Sequence, residues 1–137
     1  ANLNEIRETV NTIKKIHNKI AILRCTSIYP ASNENLNLSS ILTLKKKFNA
    51  IVGYSDHSLG DLACLTAVSL GAKIVEKHFT LNKKQTGADH RISSTPKEFK
   101  LLVDQIRMIE KSLGENNVFP TKIETKLKKF YQIYHTC

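Results

Sequence analysis

Cysteine is scarce and unpatterned in this chain of 137 residues. Cys25, Cys64 and Cys137 are widely spaced and odd in number, which argues against a disulfide framework and a C-x-x-C zinc pattern. They read as reduced thiols in a cytoplasmic protein. Long apolar runs are missing as well. No stretch approaches the ~20 residues of a membrane span, and the opening Ala1-Asn-Leu-Asn4 does not read as a secretory leader. Acidic residues are in deficit, 12 Asp+Glu against 21 Lys+Arg, for a formal net charge of +9. Such an excess favours anionic partners, among them phosphorylated metabolites, nucleic acid and acidic surfaces. Yet the lysines are scattered or gathered late, at Lys126, Lys128 and Lys129, with no aromatic-interleaved basic stripe, so nucleic acid is not an expected partner. No internal repeat is present beyond the rhythm of strands and helices. What remains, 41% hydrophobic and 24% charged, suits one globular domain.

Two stretches organise the chain: Val52-Gly-Tyr-Ser-Asp-His57 and Ile74-Val-Glu-Lys-His78-Phe-Thr80. Each is a short apolar run ending in polar, chemically capable residues. Between them lies an Ala/Leu-rich helical segment, Gly60 to Leu70, with Gly71 as its C′ residue. The unit reads as strand, helix, strand, with parallel, buried strands. Upstream, Ile6, Val10, Ile13 and Ile16 predict a helix over Asn4 to His17. Ile20 to Leu23 predicts a strand, and Leu38 to Phe48 a second helix. Downstream, Thr95-Pro-Lys-Glu98 is a capping box with Pro at the first helical position. The helix it opens has Phe99, Leu102, Val103, Ile106, Ile109 and Leu113 on its buried stripe and closes at Gly114. Ile123 to Tyr134 is lysine-rich and weakly patterned. Strands alternating with helices imply a parallel sheet with helices packed outside. Three strands cannot close a barrel, so the chain is either a small open α/β domain or part of something larger.

His57 and His78 are predicted at the carboxyl ends of neighbouring strands, the end that carries the chemistry in barrel enzymes. Neutral imidazoles bind borderline transition metals, and two of them leave positions for water and substrate. The plainer reading is a pair of hydrogen-bonded structural histidines. Asp56 and Glu76 strengthen the metal reading, since a carboxylate can orient a ligand histidine or complete a site. Their alternative is a local salt bridge to Lys77 or Lys73. Thr26, Ser27 and Ser55 are strand-end hydroxyls able to donate to a phosphate or only to nearby backbone. Asp89-His90, in a polar loop, suits sugar hydroxyls, proton transfer or a solvated turn. Tyr29 beside Pro30 is either substrate-facing or a packed corner. Cys25 reads as a small buried hydrophobe rather than a nucleophile.

Taken in order, Cys25-Thr-Ser-Ile-Tyr-Pro30, Asn37-Leu38, Gly53-Tyr-Ser-Asp-His-Ser58, Ala67-Val-Ser-Leu-Gly-Ala72, Glu76-Lys-His-Phe-Thr-Leu81, Gly87-Ala-Asp-His90 and Pro96-x-Glu-Phe99 closely resemble the sialic acid synthase family. That family condenses phosphoenolpyruvate with an N-acetylated hexosamine to give nonulosonic acids. The resemblance implies an α/β fold that is a partial (β/α)8 TIM barrel, roughly its last three strand–helix units. Residues 1–114 would be this barrel part and 115–137 a divergent basic tail, truncated or frame-shifted. The first five strands and a C-terminal antifreeze-like domain would be missing.

By position, the resemblance makes His57 and His78 ligands of a divalent metal, usually manganese. It places Ser27 and Ser55 near the phosphoenolpyruvate phosphate, gives Tyr29 and Asp89 to the sugar, and leaves Glu76 a supporting role beside the metal. Lys77, Lys83 and Lys84 do not match the family's phosphate-binding positions. The implied partners are phosphoenolpyruvate and an N-acetylated hexosamine such as N-acetylmannosamine, with no nucleic acid or membrane. The implied assembly is a cytoplasmic homodimer of the full-length enzyme, a C–C bond-forming transferase. The isolated chain is expected to be inactive. Rival readings are another metal-dependent barrel, an aldolase or hydrolase using the same histidines, and a non-catalytic fragment. In place of the family's Gly-Pro-Asp the chain has Gly87-Ala-Asp89, which is expected to loosen the turn holding Asp89.

Overall fold

The computed structural model describes residues 1–134; Cys137 and the end of the basic tail lie outside them. In chain order the regular elements are α1 (Leu3–Lys14), β1 (Ala21–Cys25), α2 (Ser40–Lys47), β2 (Ile51–Asp56), α3 (Leu62–Ser69), β3 (Val75–Lys77), α4 (Pro96–Leu113) and α5 (Lys122–Tyr134). The three strands form one parallel sheet in the order β1-β2-β3. Ala21 to Cys25 pair with Ile51 to Ser55, and Tyr54 to Asp56 with Val75 to Lys77. The expected parallel α/β arrangement is therefore present. Among the described residues, no helix is long and apolar enough to cross a membrane.

Local chemistry sets the boundaries. Thr95 and Glu98 form the expected capping box of α4, with Pro96 at its first position and Gly114 at its end. At the end of α3, Gly71 takes φ 94°, its N–H donates to the Val68 carbonyl (2.8 Å), and the Ala72 N–H reaches the Ala67 carbonyl (2.9 Å). These two bonds are the Schellman pattern, and the left-handed residue it needs is most easily glycine. Two further capping boxes were not anticipated. Asn2 with Glu5 caps α1, which starts at Leu3, one residue before the expected Asn4. Thr121 with Glu124 starts α5, so the weakly patterned tail is helical through Tyr134.

The core lies on one face of the sheet. Val52 and Tyr54 of β2 pack with Ile41 and Leu44 of α2, Ala63, Cys64 and Ala67 of α3, and Leu102 of α4. Successive strand residues face opposite ways, so Ile51, Gly53, Ser55, Ile74 and Glu76 point to the other face. There Ile51 and Ile74 remain 54% and 37% exposed. Gly53 marks a close approach on this side. A Cβ at that position would lie 2.7 Å from the Ile74 carbonyl oxygen and 2.8 Å from its Cβ. The obstacle includes backbone of the neighbouring strand, which cannot swing aside as a side-chain tip can. Gly53→Ala is expected to cost about 1–3 kcal/mol, as overpacking does. A denaturation midpoint equal to that of the parent chain would contradict this.

Glu98 gives a pH dependence. Lys83 Nζ donates to its carboxylate at 2.7 Å, and Thr95 donates through N–H and hydroxyl at 2.8 and 2.9 Å. The Lys83 bond, then the Thr95 bonds, hold the carboxyl at about 2, below its ordinary 4.5. A carboxyl lowered by folding contributes stability above its ordinary value and loses it as pH falls towards the folded value. Melting temperature should therefore decline through Glu98 between 4.5 and about 2. The Glu98→Gln variant should show a shallower decline there in a pH-resolved melt. The effect will be modest, because both partners are nearly half exposed and solvent screens them.

Candidate functional site at the strand carboxyl ends

β2 ends at Asp56 and β3 at Lys77, so His57 and His78 leave the sheet side by side. Their ring centroids are 5.1 Å apart. The loop after β1 carries Tyr29 over them, 4.1 Å from His57 and 5.7 Å from His78 between centroids. Asp89 lies beside His78, its Oδ2 3.7 Å from His78 Nδ1. Four residues separated by up to 60 positions thus meet at one end of the sheet.

Backbone contacts hold the two histidines. The Ala31 N–H donates to the His57 carbonyl at 2.9 Å, and the Ser94 N–H to the His78 carbonyl at 2.8 Å. His57 Nδ1 lies 2.8 Å from the Thr26 carbonyl oxygen. A carbonyl only accepts, so Nδ1 is the donor here, and in the neutral ring Nε2 is the nitrogen with the lone pair. Cys25 Sγ sits 3.8 Å from the same Nδ1 and is only partly buried, a neighbour of the site rather than the buried filler expected. The Asp89 turn is a 3₁₀ segment, Ala88–Arg91, where the Asp89 carbonyl accepts from the Ser93 N–H (3.0 Å) and hydroxyl (2.6 Å). Thr80 Oγ1 and His90 Nδ1, 2.8 Å apart, tie this turn to the segment after β3.

Ser55 and Glu76 share the histidine face, one strand position further in, and the Ser55 hydroxyl donates to Glu76 Oε1 at 2.6 Å. Neither carboxylate touches a histidine: Asp56 makes the local salt bridge to Lys77 that is the alternative reading, and Glu76 makes no salt bridge among the described residues. Glu76 bonds Ser55. Asp56 points to the opposite face and pairs with Lys77 at 2.5 Å, with their side chains 0% and 2% exposed. That placement takes Lys77 away from any substrate. Burial pushes the Asp56 carboxyl up, but bonds from Lys77 and Ser58 outweigh it and hold the group below its ordinary value. Ser27 is exposed in the β1 loop, with no side-chain hydrogen bond among the described residues, and is not drawn into the cluster.

The donor set suits a divalent cation. One imidazole has its outer nitrogen fixed by a carbonyl, the usual way a ligand histidine is oriented. Among the described residues no three His, Cys, Asp or Glu come together as a metal site. The two imidazoles alone form an open pair, which would leave positions for water or substrate.

The NeuB family profile matches residues 1–118. The chain belongs to the NeuB family. The family resemblance read from its motif order is thereby borne out. This NeuB-family chain is 45% identical over 129 residues to an N,N'-diacetyllegionaminic acid synthase of Campylobacter jejuni, covering 92% of itself and 39% of that protein. Against a pseudaminic acid synthase of the same species it is 46% identical over 99 residues, covering 72% of itself and 29% of the relative. Its fold matches the crystal structure of an N-acetylneuraminic acid (sialic acid) synthetase from Leptospira borgpetersenii in complex with citrate, with a TM-score of 0.88 and 37% identity. That alignment takes in 100% of this chain and 48% of the other. The chain therefore spans less than half the length of these relatives, which are sugar-acid synthases.

Proposed function

We propose that the chain is the C-terminal part of the (β/α)8 barrel of a nonulosonic acid synthase, with residues 1–114 in the barrel and 115–137 a divergent basic tail. The convergence of Tyr29, His57, His78 and Asp89 at one end of a parallel sheet, in a NeuB-family chain, carries this reading. The complete enzyme would join C3 of phosphoenolpyruvate to the aldehyde carbon of an open-chain N-acetylated hexosamine, N-acetylmannosamine or a related aminosugar. Water adds at C2 and inorganic phosphate leaves. We assign it to the cytoplasm as a homodimer.

His57, through Nε2, and His78 would hold a divalent cation, Mn2+ in this proposal, which when bound supplies Lewis-acid polarisation of the aldehyde. The Thr26 carbonyl holds the Nδ1 proton of His57, so that the neutral ring would offer Nε2 to the cation. Tyr29, lying over His57, walls one side of the sugar site, and the Asp89 carboxylate accepts from sugar hydroxyls. Holding the aldehyde in line with the attacking carbon contributes through effective concentration. Ser55 donates to the phosphate, with Glu76 as the acceptor that orients it before substrate binds. Ser27, exposed nearby, would serve the same phosphate once the barrel is complete.

The test combines the chain with a separately produced barrel half supplying strands one to five. Phosphate release from phosphoenolpyruvate is then followed with Mn2+ and N-acetylmannosamine or a legionaminic- or pseudaminic-type precursor. Release should require both metal and one aminosugar. Phosphate release that ignores the aminosugar would point to a hydrolase and reject the synthase assignment.

A further inference from the structure

The buried pair Asp56–Lys77 lies on the sheet face opposite the histidines, outside the reacting site, and has more partners than a simple ion pair. Asp56 Oδ1 accepts from the Tyr54 hydroxyl (3.1 Å), the Ser58 N–H (2.8 Å) and the Ser58 hydroxyl (2.7 Å). Oδ2 accepts from Lys77 Nζ (2.5 Å) and Cys64 Sγ (3.2 Å). Lys77 Nζ also donates to the Ser58 carbonyl at 3.2 Å. The residue before His57 and the residue after it are thus both fastened to one buried network, and so is the residue before His78.

Register makes this consequential. Asp56 and Lys77 are the last paired residues of β2 and β3. Each histidine is the next residue along, where the β2–β3 ladder has stopped. Because side chains alternate across a strand, the pair projects away from the site while both imidazoles project into it. A buried ion pair is weak evidence for stability, since well-packed apolar residues often serve as well, and its best-attested use is to fix register. Here the register in question is the spacing of two imidazoles.

We infer that Asp56 and Lys77, with Ser58, are positioning residues that set the His57–His78 separation and so the metal affinity of the site. This rests on the reading of the two histidines as ligands. Outer partners of metal ligands typically alter affinity by about 10–100-fold when mutated. Asp56 and Lys77 act through backbone rather than ring contacts, so about tenfold, the lower end, is expected.

The experiment titrates Mn2+ into the full chain, following loss of the free-ion electron paramagnetic resonance signal at a temperature where circular dichroism reports each variant folded. Asp56→Asn and Lys77→Met should each raise the Kd about tenfold. The double variant should be no weaker than the poorer single one, because coupled residues are not additive. Lys77→Arg keeps the buried charge but changes its donor geometry; it covers the case in which the others do not fold, and its Kd should rise at least about threefold. Val10→Ala, which loosens packing on α1, should lower the melting temperature and leave the Kd unchanged. If Asp56→Asn, Lys77→Met and Lys77→Arg melt earlier yet bind Mn2+ like the parent, the pair is only structural and the inference is overturned. A parent chain whose Mn2+ binding is absent, or survives His57→Ala, overturns the ligand assignment itself and the positioning role with it.

Discussion

Replacing His57 or His78 by alanine is expected to abolish metal-dependent synthesis in the completed enzyme while leaving the fold in place. A Lewis acid contributes several kcal/mol of transition-state stabilisation, and each ~1.4 kcal/mol is a factor of ten in rate. Loss of either imidazole should therefore reduce turnover by about 10³-fold or more. The structural cost is small by comparison. At His57 the substitution removes the bond to the Thr26 carbonyl and the ring contact with Tyr29, but no strand or helix pairing. His78 is bonded through its backbone carbonyl to Ser94, and alanine keeps that contact. Circular dichroism melts should move little, while calorimetric Mn2+ binding and phosphate release both disappear. Turnover within about tenfold of the parent would show that these rings are hydrogen-bonded framework and that the chemistry lies elsewhere. Asp89→Asn is a useful contrast. It retains the turn, which depends on the Asp89 backbone carbonyl, and should weaken sugar use more than metal binding.

How far the site could be read from sequence depended on whether period-two alternation governed the residue concerned. The strand–helix rhythm, the Thr95 capping box and the Gly71 stop rest on local chemistry, and each is present. The side-by-side histidines follow from two parallel strands ending together. The same alternation would have separated the nearby carboxylates: Glu76 stands two residues before His78 and shares its face, whereas Asp56 stands one before His57 and cannot. Proximity in sequence grouped them, and packing divided them into a Ser55 partner and a buried mate for Lys77. Tyr29 and Asp89 are carried by loops, whose course no periodicity dictates, so residue type marked them only as open alternatives and the order of motifs chose between these. The Thr26 carbonyl that sets the His57 tautomer left no signal at all, since every residue has one. Asn2 and Thr121 were legible in principle. Each precedes a glutamate by three residues, the spacing that identified Thr95.

The 137-residue chain on its own is expected to bind Mn2+ weakly and to release no detectable phosphate from phosphoenolpyruvate. Phosphoenolpyruvate carries an anionic phosphate and carboxylate, which call for several fixed cationic donors in a site closed to water. The candidate lysines near this site are committed elsewhere: Lys77 is buried against Asp56 on the far face, and Lys83 is paired with Glu98. Removing one preorganised donor typically costs about 10²–10³ in rate, and under the partial-barrel proposal several would have to come from the other strands. The histidine face of the sheet exposes Ile51 and Ile74, and among the described residues β1 and β3 are the edge strands of the sheet. Unpaired edges and uncovered apolar surface promote association, so light scattering should show oligomers that a docking barrel half disperses as activity appears. Full metal-dependent phosphate release from a monodisperse preparation of this chain alone would mean that the strand-end cluster is complete as it stands, and that the barrel reading assigns to missing strands a task these three already perform.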